Sequence, residues 1–214
     1  MPVTMWRPVQ RLDRRLMKRS FRARSPALDQ PLVAITRAAN YSRLWLLIAA
    51  ALVVFGGRKG QRAAERGLIA IAIAAAVANG PAKLLVRRRR PFSRSRPALI
   101  RMPRSTSFPS GHTAAAFAFA TCACTELPVL APALVPLAGA VAYSRVHTGV
   151  HYPSDVAAGA GVGIVSGLLA VRLPWRLHPR QRTVARRERR GSSQITTSTQ
   201  SRARARPSPP RARP

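Results

Sequence analysis

Acidic residues are scarce. Asp and Glu number 6 in 214 residues against 37 Lys and Arg, a formal net charge of +31. Cysteine is scarcer still. Cys122 and Cys124 are two apart in a stretch expected to be helical, so they point to different faces. That spacing excludes a disulfide between them and offers no metal-ligand pattern, leaving small buried residues as the reading. No internal repeat is visible, and no secretory leader is expected, because the first apolar run begins only at Leu44, after a long basic arm, with no small-residue cleavage site behind it. A soluble domain this basic would suggest nucleic acid. Here the charge is instead segregated, with 10 basic residues in 1–43, 8 in 87–104 and 13 in 172–214. Blocks that flank apolar sequence in this way hold a membrane protein against anionic lipid and the cytoplasmic side.

The mean hydropathy of −0.05 averages over a sharp division. Stretches rich in Ala, Leu, Val and Ile predict an all-α, polytopic transmembrane bundle. Its spans are expected near 44–55, 67–86, 112–125, 129–143 and 155–173. Segment 58–66 reads as a charged loop. Leu28, Leu32, Ile35 and Ala39 are spaced as on one face of a helix, so 27–40 is expected to be a short amphipathic helix in the membrane interface. It would add a sixth crossing to the five only if it inserted fully. The chain divides into a basic N-terminal arm with that helix (1–43), a transmembrane domain (44–173) and an Arg-rich tail (174–214). The tail has too few large apolar residues to offset chain entropy and is expected to be disordered. Gly159, Gly163 and Gly167, four apart, predict a smooth helix face for close packing.

Ionisable side chains at the ends of membrane helices are costly and usually functional. Lys83, Arg90, His112, Arg145, His151 and Asp155 all lie at ends of the second to fifth spans. Alternating crossings bring those four ends to one membrane face. Lys83, Arg90 and Arg145 supply three cations. Ser110 and Gly111 precede a helix whose free N–H groups bind phosphate oxygens well, with Gly111 allowing close backbone approach. Together these suit a phosphoryl group. His151 and Asp155 are four apart, and Asp155 is the only acid between Glu126 and Glu188. A carboxylate on one ring nitrogen leaves the other free to attack, and His112, from another helix, is placed to act as general acid. His147 is read as a loop residue, His178 as solvated, and Arg87, Arg88 and Arg89 as headgroup anchors that could also steer anionic lipid inward.

KLLVRRRRP (83–91), PSGH (109–112) and SRVHTGVHYPSD (144–155) stand in order, each at a membrane boundary. Together they resemble the three-part signature of the type 2 phosphatidic acid phosphatase superfamily, the lipid phosphate phosphatases. That superfamily also takes in bacterial acid phosphatases and vanadium haloperoxidases. The resemblance covers about residues 44–173. It implies hydrolysis of a lipid phosphate monoester or diphosphate with no metal or other cofactor. His151 would be the nucleophile, forming a phosphohistidine, and Asp155 would orient it. His112 would protonate the leaving alkoxide and then activate water, while Lys83, Arg90, Ser110, Gly111 and Arg145 hold the phosphoryl oxygens. Expected partners are a lipid phosphate substrate and membrane lipids, with no specific nucleic acid, and oligomeric state is left open.

The expected location is the cell membrane. With the Arg-rich tail in the cytoplasm, the site falls on the extracytoplasmic face. That topology leaves the ten cations of 1–43 outside unless 27–40 enters the membrane. Two other readings are a membrane-anchored protein whose arginine tails bind nucleic acid or anionic lipid, and a haloperoxidase relative holding vanadate. The first leaves His112, His151 and Asp155 unexplained, and apolar spans argue against the second.

Overall fold

The computed structural model describes residues 6–173, and every regular element among them is a helix. They are α1 (Trp6–Arg22), α2 (Pro26–Ala38), α3 (Arg43–Phe55), α4 (Gly57–Asn79), α5 (Pro81–Leu85), α6 (Gly111–Glu126), α7 (Ala131–His147) and α8 (Pro153–Arg172), with single 3-10 turns before α3 and α7. The expectation for the tail falls outside the described residues.

α6 is the hub, packed on α4, α7 and α8. Its buried residues are mostly alanine, and the surfaces facing it are as small. A Cβ on Gly159 would sit 2.5 Å from the Ser110 carbonyl oxygen, and one on Gly167 would sit 2.8 Å from Thr121 Cβ; Gly163 abuts the Ala114 carbonyl. The glycine stripe of α8 is therefore a packing face, as its spacing predicts. On α4, Gly67 lies under the Phe119 ring, and Trp45 of α3 meets that ring with centroids 5.5 Å apart. The large side chains point outward instead. Leu46, Leu47, Val53, Val54 and Phe55 of α3 and Ile164, Val165, Leu168 and Leu169 of α8 are all exposed. Small residues within and large apolar ones without is how a bundle packs when lipid is its solvent.

Among the described residues three stretches are long and apolar enough to cross a bilayer: Gly57–Leu85, Pro128–His147 and Pro153–Arg172. α2 and α3, bent by 62°, make a fourth if counted as one broken span. α6 has 16 residues, about 24 Å of helix against a hydrocarbon core of ~30 Å.

In its helices the structure departs from the sequence reading first at the start of α4 and then in the N-terminal arm. Segment 58–66 is the start of α4 rather than a loop. Gly57 takes a left-handed φ of 56° and Gly60 lies against the Leu52 carbonyl, so the chain turns from α3 into α4 within two residues. The charges of that turn are used inside: Arg66 pairs with Glu126 and donates to the Leu173 carbonyl at 2.9 Å, and Arg62 lies 3.9 Å from Glu126. The second departure is the N-terminal arm. Residues 6–22 form a helix whose Asp13, Met17 and Ser20 are buried against the body, while its seven Lys and Arg face outward. α2, read as an amphipathic helix from its spacing, is one. It packs on α7 at the end of the bundle where α6 and α8 begin.

Candidate active site

Four helix ends and one loop enclose a cavity of about 240 Å³ lined by Lys83, Arg90, Gly111, His112, Arg145 and His151, with Asn79, Ser105 and the α2–α3 corner completing the wall. Each lining residue is delivered by a local cause. α4 breaks at Gly80-Pro81, and the short α5 turns Lys83 toward Asn79, whose Oδ1 accepts from Nζ at 2.8 Å. The loop after α5 brings Arg90 across the opening. It donates to the carbonyls of Ser105 (2.8 Å), Val150 (2.8 Å) and Thr106 (3.2 Å). α6 starts at Gly111, so Gly111 and His112, whose N–H groups have no acceptor within the helix, line this space at the helix N-terminus.

Arg145 is the most telling residue. It is 1% exposed, donates to Thr36 Oγ1 at 3.0 Å, and its buried Nε has no partner. Among the described residues no carboxylate lines the cavity, which therefore holds three cationic side chains and no counter-charge from them. Buried charge without a partner is strongly unfavourable, so the cavity is built for an anion.

His151 lies beside this charge. The N–H groups of Val150 and His151 both donate to the Arg145 carbonyl at 3.2 Å, folding the turn after α7 back on itself. Arg90 Nη1 lies 3.1 Å from His151 Nε2. A guanidinium can only donate, so Nε2 carries the lone pair and Nδ1 the proton. Burial, aided by the charges of Arg145 and Arg90, lowers the His151 pKa from 6.5 to about 4, and Asp155 opposes this. Asp155 Oδ2 is 3.7 Å from Nδ1, beyond hydrogen-bond range, so burial prevails and the ring is neutral at pH 7. A neutral imidazole with a lone pair aimed at an anion cavity is a competent nucleophile.

Asp155 is fully buried behind the wall in the first turn of α8. Its Oδ2 accepts the Tyr152 N–H at 2.8 Å, and its Oδ1 accepts from Arg88 at 2.8 Å. His112 enters from α6, with Nε2 2.9 Å from Asn40 Oδ1. Ser110 is placed differently from the other expected residues. It is fully buried, its Oγ accepts from the Thr113 hydroxyl at 3.0 Å, and its N–H donates to the Asp155 carbonyl. It joins α6 to α8 behind the wall, and Gly111 rather than Ser110 faces the cavity.

Several residues escaped the sequence reading. Arg88 is no headgroup anchor. It stacks on Tyr152 at 4.0 Å and pairs with Asp155 and with Asp13 (2.6 Å). His147 is no loop residue but the buried last residue of α7, with Nε2 2.7 Å from Asp29 of α2. Asn40, Asn79 and Thr36 touch His112, Lys83 and Arg145. Polar residues this common leave no signal in sequence, because only the fold brings them to the site.

A helical bundle with a neutral histidine, three cations and a helix N-terminus around one half-open cavity defines a phosphoryl-handling enzyme. A sequence model of the PAP2 superfamily matches residues 65–179, more than half of the chain, so the protein belongs to that superfamily and is a hydrolase of phosphate esters. It is 35% identical over 129 residues to the decaprenylphosphoryl-5-phosphoribose phosphatase of Mycolicibacterium smegmatis, an alignment spanning 59% of this chain and 68% of that one. Among solved structures it resembles Aquifex aeolicus LpxE, with a TM-score of 0.66 and 26% identity, covering 76% of this chain and 96% of that one. It also resembles the transmembrane PAP2-type phosphatidylglycerolphosphate phosphatase of Bacillus subtilis, with a TM-score of 0.62 and 26% identity, covering 77% and 85%.

Proposed function

We propose that this protein is a membrane lipid phosphatase that works through a phosphohistidine on His151. The observation that carries the reading is the cavity around Arg145, cationic and without a carboxylate, with the His151 lone pair beside it. Lys83, Arg90, Arg145 and the Gly111 end of α6 hold the phosphoryl oxygens and stabilise the charge of the transition state. His151 Nε2 attacks phosphorus and the ester P–O bond breaks. The leaving alkoxide takes the proton of His112, which the Asn40 contact keeps in reach. In the second step His112 takes a proton from water, the hydroxide attacks phosphorus, and the P–N bond breaks to release phosphate and restore His151. The Asp155 carboxylate, 3.7 Å from Nδ1, favours the proton on that nitrogen through its charge, and Ser110 fixes the turn that presents Gly111. No step calls on a metal.

The substrate is a phosphate on a lipid anchor. Among phosphatidic acid, phosphatidylglycerol phosphate, polyprenyl diphosphate and polyprenyl-linked sugar phosphate, the last is favoured by the likeness to the decaprenylphosphoryl-5-phosphoribose phosphatase. We count α1 and α2, which pack on α7 and α8, with the transmembrane domain, and keep 174–214 as a separate tail.

The site faces the extracytoplasmic side, with the tail and its arginines inside. Bending at the α2–α3 corner gives the N-terminal segment a partial entry into the membrane. Cysteines at Ser95 and Ser192, in a chain with Cys122 and Cys124 replaced by Ala, should label from opposite sides of the membrane. Equal access from outside would refute the topology. The activity is tested by phosphate release from a lipid phosphate panel in detergent with EDTA. Wild-type turnover and its near-complete loss in His151→Ala are expected. Chelator sensitivity, or full activity in that variant, would overturn the mechanism.

A further inference from the structure

α1 is divided into two faces. At about 100° per residue, all its Lys and Arg sweep one side, and Asp13, Met17 and Ser20 lie on the other. Leu12, 56% exposed, and Val9 border the buried face, giving the helix the profile of one lying in an interface. Arg14, Lys18 and Arg22, one turn apart, join Arg96 and the rings of Phe92 and Tyr152 around a cleft of about 510 Å³, distinct from the catalytic cavity. Among the described residues no acid pairs with Arg14, Lys18 or Arg22. Like charges at this spacing repel, so the row is unfavourable until an anion covers it. In a membrane protein, charge complementarity together with the neighbouring exposed apolar residues identifies that cover as anionic phospholipid.

The inner face carries α1's single acid. Asp13 is 2% exposed and accepts from Ser154 N–H (2.9 Å), Ser154 Oγ (2.7 Å) and Arg88 Nη2 (2.6 Å). Arg88 Nη1 is shared between Ser154 and Asp155. A continuous chain of charged hydrogen bonds therefore runs from α1 through Arg88 to Asp155, the partner of His151. Asp13 lies well outside residues 65–179 that match the family.

We propose that α1 docks on an anionic bilayer surface and that Asp13 is a positioning residue that transmits docking to the His151–Asp155 pair through Arg88. The proposal rests on the reading of His151 above. Undocked, α1 is held by few apolar contacts and Asp13 leaves Arg88 part of the time. Asp155 then loses the guanidinium that fixes it, and the chemical step slows while substrate binding does not.

The test uses the full chain in phosphatidylcholine vesicles with and without phosphatidylglycerol. Wild-type kcat should rise several-fold with phosphatidylglycerol. Arg14→Gln/Lys18→Gln/Arg22→Gln should match wild type in phosphatidylcholine and lose the rise. Asp13→Asn should lower kcat about tenfold in phosphatidylglycerol vesicles, with KM within about twofold, and lose the rise between the two lipids, and Asp13→Glu should recover part of both. Retention of the lipid effect in the triple variant, an equal effect from soluble glycerol phosphate, or normal kcat in Asp13→Asn would each overturn the proposal. A fluorophore at Gln10→Cys, with Cys122 and Cys124 replaced by Ala, should shift to the blue on phosphatidylglycerol vesicles, and an unmoved spectrum would refute docking. The shift is expected in His151→Ala too, so failure of the catalytic reading and failure of docking give different results.

Discussion

Arg145 shows what a single residue can carry. Its side chain is anchored on Thr36, its Nε is buried without a partner, and among the described residues no acid lines the cavity it faces. A lysine would keep the charge and lose the planar fork. Arg145→Lys should lower kcat/KM about a hundredfold, with a melting temperature near that of wild type in detergent. His151 makes a prediction about pH. Its pKa of about 4 leaves it unprotonated and nucleophilic at neutral pH, so kcat/KM should lose no activity to His151 protonation from pH 8 down to about 5.5 and fall as pH approaches 4. The same depressed value favours the unfolded chain in acid. Unfolded His151 takes a proton below about 6.5 and the folded form does not, so stability falls as pH drops from there toward 4. Sequence spacing located Lys83, Arg90, His112, Arg145 and His151, because each stands at the end of an apolar run. It missed Arg88, one of four consecutive arginines, and Asp13, in a basic arm, because neither has a local pattern that separates it from its neighbours.

Among the elements, α8 gives the sharpest contrast. Gly163 abuts the Ala114 carbonyl and has Phe117 Cβ 2.9 Å from where its own Cβ would stand, whereas Gly161 has nothing within 4 Å. Gly163→Val should push α8 off α6 and cost about 1–3 kcal/mol or more. Gly161→Ala should be neutral or stabilise by up to about 1 kcal/mol through helix propensity. Thermal unfolding of the two variants in the same detergent checks the pair. The glycine period was legible because small residues four apart make a face whatever they touch. The start of α4 was not, because Arg58, Lys59, Arg62, Glu65 and Arg66 look like a solvated loop until Glu126 arrives from the far end of α6 to meet two of them.

For the whole molecule, the C-terminal block of arginines supplies none of the residues that line the cavity among those described. Removal of 177–214 takes away most of the C-terminal arginines and none of the cavity, so phosphatase activity per mole of detergent-solubilised protein should stay within about twofold of wild type. Loss of activity on truncation would mean that the tail contributes to the site.

The sequence by itself determined that this is an all-helical membrane protein with one cluster of cationic and histidine side chains at one end. Apolar run length and the cost of ionisable groups in lipid are local properties that survive without coordinates. Tertiary structure alone decided that Ser110 binds the Asp155 carbonyl behind the wall, that Asn40 meets His112, and that a helix from the N-terminal arm is joined to Asp155 through Arg88. Those contacts link residues far apart along the chain, and packing rather than periodicity chooses which distant groups meet.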